Sequence, residues 1–167
     1  MKIKTALFLC FFWLFLSCAK DKTPEPTDAQ LVKLVFETAS FRYYQDNDSL
    51  YTKTSGSGHN FPFLKTKYNS IAASQLDSEG NLLSNATFPE ESFIVKELYS
   101  DSTTIDVYAV MYKNSGNANA DANGWIWAYV NADKSIGFES SRKGEGCISC
   151  HSQTGNLDYM LMNKFYP

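Results

Sequence analysis

The chain has 167 residues, 44% of them hydrophobic and 15% aromatic, and a formal net charge of −3 at neutral pH. This suits one domain with a real core behind an N-terminal leader, and excludes a long disordered or collagen-like chain. With 15 basic residues against 18 acidic ones and no Lys/Arg run, no nucleic-acid partner is expected.

Lys2 and Lys4 precede an uncharged apolar run, Ala6 to Leu16, too short to span a bilayer as a helix, so residues 1–17 read as a signal peptide that carries Cys10 away. Phe15-Leu16-Ser17-Cys18 looks like a bacterial lipoprotein cleavage box, with Phe where Leu is usual. Cys18 is then the lipidated first residue of the mature chain, and residues 18–28 a polar, proline-interrupted tether. The expectation is a protein of the bacterial cell envelope, lipid-anchored and facing the periplasm or the outer surface. Loss of the signal leaves 13 basic against 18 acidic residues, a net charge near −5, weakly favouring a basic redox partner whose identity the chain does not give.

Residues 29–167 form the expected single domain. Thr27 or Asp28 caps a first helix carrying Leu31, Leu34 and Val35, followed by a polar loop from Gln45 to Asn60. A second helix is predicted from Leu64 to about Leu76, with Leu64, Tyr68, Ile71, Ala72 and Leu76 on one face. The period then changes to two. Strands are predicted at Ser92–Tyr99, Thr104–Lys113, Trp125–Val130 and Ser135–Glu139, with a hairpin loop from Asn114 to Gly124 and a closing helical turn over Leu157 to Phe165. The fold class is therefore α+β, mainly antiparallel sheet with flanking helices.

Cys147-Ile148-Ser149-Cys150-His151 follows the last strand. Two thiols and an imidazole at this spacing are what covalent attachment of one haem c requires: Cys147 and Cys150 as thioethers to the vinyl groups, His151 as an axial ligand to the iron. A structural disulfide or half of a zinc site are the alternatives. The trailing His is superfluous to the first, and no second Cys pair or His cluster exists to complete the second. Only a short tail follows, so Met160 and Met162 are poorly placed to reach the opposite face of the ring, and His59 lies in a loop where a surface or structural role is expected. The expectation is five-coordinate iron with an open face for a small-molecule ligand or substrate.

The ordered blocks Phe88 to Leu98, Tyr108 to Lys113, Gly124 to Tyr129, and Cys147 to His151 through Asp158-Tyr159 together resemble the cytochrome P-460 family, over roughly residues 60–167. The resemblance implies a small antiparallel β domain with a c-type haem whose proximal ligand is the motif histidine. It also implies two chemistries: hydroxylamine oxidation on a haem cross-linked to a lysine, or nitric oxide binding beside apolar, often Phe, residues, as in cytochromes c-prime-beta. Lys96 is the candidate cross-link or distal residue, with Lys65 and Lys67 as competitors. An uncharged, Phe-lined pocket without the cross-link, binding nitric oxide, is expected ahead of the oxidase and of a simple electron carrier. Lys96 faces either inward with Ile94 and Leu98, or solvent while Phe93, Val95 and Tyr99 point in. Glu97, Glu139 and Glu145 are candidate distal acids, each more often a solvated charge. Trp125 and Trp127 share a face and are expected in the core or the pocket, Arg142 and Lys143 are candidates for the haem propionates, and a homodimer is compatible with the chain without being specified by it.

Overall fold

A computed structural model describes residues 27–160. The N-terminal leader and Cys18, with Met162 and the rest of residues 161–167, lie outside the described residues. The described chain forms one seven-stranded antiparallel sheet: β1 (Arg42–Tyr43), β2 (Tyr51–Thr52), β3 (Phe63–Tyr68), β4 (Phe93–Tyr99), β5 (Ile105–Lys113), β6 (Trp125–Asn131) and β7 (Ile136–Phe138), with three short helices, α1 (Thr27–Val35), α2 (Ser70–Ala73) and α3 (Ile148–His151). The order is β1-β3-β4-β5-β6-β7, with β2 also paired to β3. From β4 to β7 each neighbour follows by a hairpin, as period-two segments separated by Asn-, Ser- and Gly-rich turns dictate, whereas β3 reaches β4 through a long connection carrying α2.

Both faces of the sheet are covered, and this fixes the division of labour between alternate residues. On one face, Phe93 and Val95 of β4, Val110 of β5, and Ile126, Ala128 and Val130 of β6 pack against Leu31 and Val35 of α1. Burying each large aliphatic side chain there contributes about 2 kcal/mol. On the other face, Tyr68, Ile94, Met111, Trp125 and Trp127 build a second core with Phe88, α2 and Met160. Lys96 is on this second face with Ile94. The two sequence alternatives for β4 were therefore not exclusive, since the residues on either side of Lys96 are buried on the opposite face while Lys96 itself is half-buried.

The helix expected over Leu64–Leu76 is corrected: residues 63–68 are strand β3, and only Ser70–Ala73 is helical. An offset of four, Leu64 to Tyr68, keeps two residues on one side in either structure, so the marker pair did not discriminate. The split falls at Asn69, whose side chain accepts a hydrogen bond from the Ala72 amide (2.8 Å) to cap α2 and another from the Phe93 amide (3.1 Å) to join α2 to β4. The closing helix is likewise not formed over its described part. Leu157 and Met160 bridge across a turn whose central residues, Asp158 and Tyr159, are left-handed (φ 46° and 73°). The start of α1 is tied to the region just before the Cys-rich motif, where Asp28 accepts the amide of the buried Ser140 at 2.9 Å.

Candidate functional site

A cavity opens on the second face of the sheet. Register builds its floor: Thr66 of β3 pairs with Lys96 of β4, Lys96 with Ala109 of β5, and Ala109 with Tyr129 of β6, so four side chains from four strands stand in one row. Ile94, Met111 and Trp127 form the next row. Helix α3 closes one side with Cys147, Cys150 and His151, and the loop through Gly56, Gly58 and His59 closes another.

His151 is held in one tautomer. Its Nδ1 lies 2.7 Å from the main-chain carbonyl of Tyr159, and since a carbonyl only accepts, Nδ1–H donates and Nε2 keeps its lone pair. Burial, reinforced by the charge of Lys96 and opposed by the Tyr159 hydrogen bond, pushes the imidazole pKa down to about 4, leaving the neutral ligand form at ordinary pH. Trp127 packs edge-on to the ring at 4.9 Å, its own indole N–H held by Asp121 at 2.8 Å. Gly144, with φ of 74°, passes so close that a Cβ there would come within 2.6 Å of the Trp127 ring.

Asp158 anchors this side. It accepts hydrogen bonds from the Trp125 indole (3.0 Å) and the Phe88 amide (2.9 Å) and pairs with the Lys113 ammonium (3.2 Å), so the turn carrying the Tyr159 carbonyl is fastened to β5, β6 and the loop before β4. Met160 lines the cavity from the same turn, on the same segment that holds His151. Trp125 is wholly buried in the core while Trp127 reaches the cavity, so the two divide the alternatives between them.

Lys96 alone of the three candidate lysines reaches the cavity wall. Lys67 and Lys65 are on the opposite face, Lys67 bonded to Glu97 at 2.6 Å and Lys65 above the rings of Tyr43 and Tyr99. Lys96 has no ion-pair partner among the described residues, and burial alone pushes its pKa down to about 8. The expected Phe-lined, uncharged wall is not found among the described residues: none of the described side chains lining this cavity is Phe, and Lys96 stands on its wall beside Thr66, whose buried hydroxyl has no hydrogen-bond partner among the described residues. The candidate acids are elsewhere. Glu97 is buried on the α1 side of the sheet, and Glu139 and Glu145 are exposed. Arg142 is also exposed, paired with Glu145 at 3.3 Å and stacked on Phe138, and Lys143 is exposed beside it.

His59 is the residue whose position its sequence context concealed. Set in a Ser/Gly loop, it nonetheless lines the cavity, with Nδ1 2.9 Å from the Tyr129 hydroxyl. Burial first, then the charges of Lys96, His151 and Lys53, lower its pKa to about 3. The alternation of Trp125, Trp127 and Tyr129 on one face was the available signal for its partner; nothing local marked the histidine.

A family model described as Cytochrome P460 matches residues 41–162, from the start of the sheet through the Cys-rich motif and the Tyr159 turn. The chain belongs to that family. No curated protein matches it. Membership in the cytochrome P460 family implies a haem cofactor and chemistry on small nitrogen species. The residues present fit a haem. Cys147 and Cys150 are unbonded to each other and both border the cavity, His151 offers Nε2, the opposite wall is largely apolar, and the orphaned Thr66 hydroxyl faces a space that lacks a polar partner. No group of three or more His, Cys, Asp or Glu among the described residues offers a zinc site instead.

Proposed function

We propose that this cytochrome P460 family protein is an exported, membrane-anchored carrier of one covalent haem c that transforms small nitrogen species, with hydroxylamine as substrate. Cys147 and Cys150 would hold the group as thioethers, and His151 would offer Nε2 to its iron. When bound, the haem supplies a Lewis-acidic iron that takes up and passes on electrons one at a time. The chain supplies the rest: Tyr159 fixes the ligand tautomer, Trp127 fixes the ring plane, and the apolar rows of β4–β6 keep water from competing with a small ligand. Arg142, at the surface close to Cys147, is assigned to the edge of the group and its propionates.

The observation that carries the oxidase reading is Lys96, a desolvated amine with no counter-ion on the cavity wall. A half-buried, unpaired cation on an otherwise largely apolar wall is costly unless function retains it. We assign it the lysine–haem bond known in the oxidising branch of the family. Lys96 would then hold the group through Nζ as a second covalent anchor, a link whose formation gives up two protons and two electrons to an oxidant of the peroxide class. The test is turnover: the mature haem-loaded protein is expected to oxidise hydroxylamine with a one-electron acceptor present, and failure to do so refutes the reading. Nitric oxide capture is the second reading, favoured by the apolar side chains of Ile94, Ala109 and Met111 around the same space; it predicts nitric oxide binding without hydroxylamine turnover.

A further inference from the structure

Oxidation of hydroxylamine by two electrons sheds two protons (NH2OH → HNO + 2 H+ + 2 e−), the electrons leaving to an external one-electron carrier. A base must therefore stand at the substrate. No carboxylate among the described residues lines the cavity: Glu97, the one buried glutamate among them, is on the opposite face of the sheet, held by Lys67 and by the Tyr99 hydroxyl at 2.8 Å. Among the described side chains facing the space, the hydroxyls of Ser57, Thr66 and Tyr129 are far weaker proton acceptors than an imidazole, even one whose basicity burial has lowered, and Lys96 and His151 are committed under the proposed function. One basic side chain remains.

We propose that His59, oriented by Tyr129, is the distal base that removes a proton from the nitrogen substrate, an inference resting on the hydroxylamine reading above. His59 is not a loosely hung loop residue. Its main-chain carbonyl accepts from the Lys53 ammonium at 2.9 Å, and the loop is closed at its base by the Lys53 amide on the Pro62 carbonyl at 2.7 Å. Its imidazole is fixed by the Tyr129 hydroxyl, the fourth member of the row Thr66, Lys96, Ala109, Tyr129 that forms the cavity floor. In the tautomer the role requires, Nδ1–H donates to the Tyr129 hydroxyl oxygen and Nε2 keeps its lone pair. In the step, an N–H bond of hydroxylamine breaks, its electron pair stays on nitrogen, and the proton bonds to Nε2. The imidazolium so formed donates Nδ1–H to the Tyr129 oxygen, which supports the new charge. Tyr129 is a positioning residue: it acts on the substrate through His59.

The experiment uses the mature haem-loaded protein and its His59→Gln and Tyr129→Phe variants. Hydroxylamine turnover is followed with ferricyanide as acceptor, and the infrared C–O stretch of the ferrous carbon monoxide adduct is recorded for each. His59→Gln is expected to lower kcat by about a hundredfold or more, the ordinary loss of a general base, with KM within about threefold. The C–O band shifts, because His59 no longer faces the bound ligand. Tyr129→Phe is expected to lower kcat by about tenfold and to shift the band less. A wild-type protein that turns over while His59→Gln matches it overturns the inference and leaves the proposed function standing. Lost turnover with an unchanged C–O band makes His59 structural and also overturns it, as does a change from low-spin to high-spin iron in His59→Gln, which would make His59 an axial ligand. Absence of turnover in the wild type is different in kind, since it removes the proposed function and the base role with it.

Discussion

The Tyr159 carbonyl and the His151 imidazole are joined by one hydrogen bond of 2.7 Å, and the turn that presents this carbonyl is fastened to the core by Asp158. The orientation of the His151 ring is thus set by a carboxylate seven residues beyond the histidine. Asp158→Ala leaves the Lys113 ammonium and the Trp125 indole without their partly buried partner and is expected to destabilise the domain by about 2 kcal/mol. Chemical denaturation measures this. The iron–histidine stretch in resonance Raman spectra is expected to shift to lower frequency, because the Nδ1–H···O bond that makes His151 a stronger donor weakens.

On the far face of the sheet, Lys67 and Glu97 form a buried pair. Removing Lys67 alone strands the carboxylate, so Lys67→Met is expected to cost about 3–5 kcal/mol, whereas Lys67→Met with Glu97→Leu recovers most of it. The pair also sets a pH dependence. Burial lowers the Lys67 pKa, but its hydrogen bond and charge pairing with Glu97 outweigh this and leave it raised. A raised lysine pKa stabilises the fold below the unfolded-state value and loses that contribution as pH rises through the folded one. The double variant should accordingly lose less stability than the wild type when the pH is taken above about 10.5.

The strands of residues 93–138 were legible because alternation, Gly/Asn turns and the absence of proline agreed. Strand β3 was not, because Leu64 and Tyr68 satisfy a helical and a two-residue period alike, and its partner β4 decided between them. Cys147, Cys150 and His151 announce themselves by spacing, and the structure gathers them at one cavity. The inward direction of Lys96 depends on β4 being covered on both faces, which a single strand cannot reveal. His59 was concealed more deeply: its value comes from Tyr129, 70 residues away in sequence.

Lys96→Met is expected to accumulate with haem attached, since none of the three motif residues is touched. Its reduced Soret band should lie at the ordinary c-type position, blue of the wild type. Hydroxylamine turnover should fall at least about a hundredfold while ferrous nitric oxide binding persists. Optical titration and steady-state rates on one preparation check this, and turnover equal to the wild type would release Lys96 from any role.

For the N-terminus, Cys18→Ser is expected to abolish acylation and to remove the mature domain from the membrane fraction. Cell fractionation with detection of the covalent haem reads this out, and normal cleavage with continued membrane association would show that Cys18 acylation is not the anchor.

The central claim, one covalent haem in the cavity with Lys96 on it, is tested most directly by mass spectrometry of the haem peptides from a proteolytic digest of the matured protein. The account predicts one haem joined to two chain segments, one containing Cys147 and Cys150 and the other Lys96. A haem on the cysteine segment alone would contradict the assignment of Lys96, and a digest with no haem-bearing peptide would contradict the site itself.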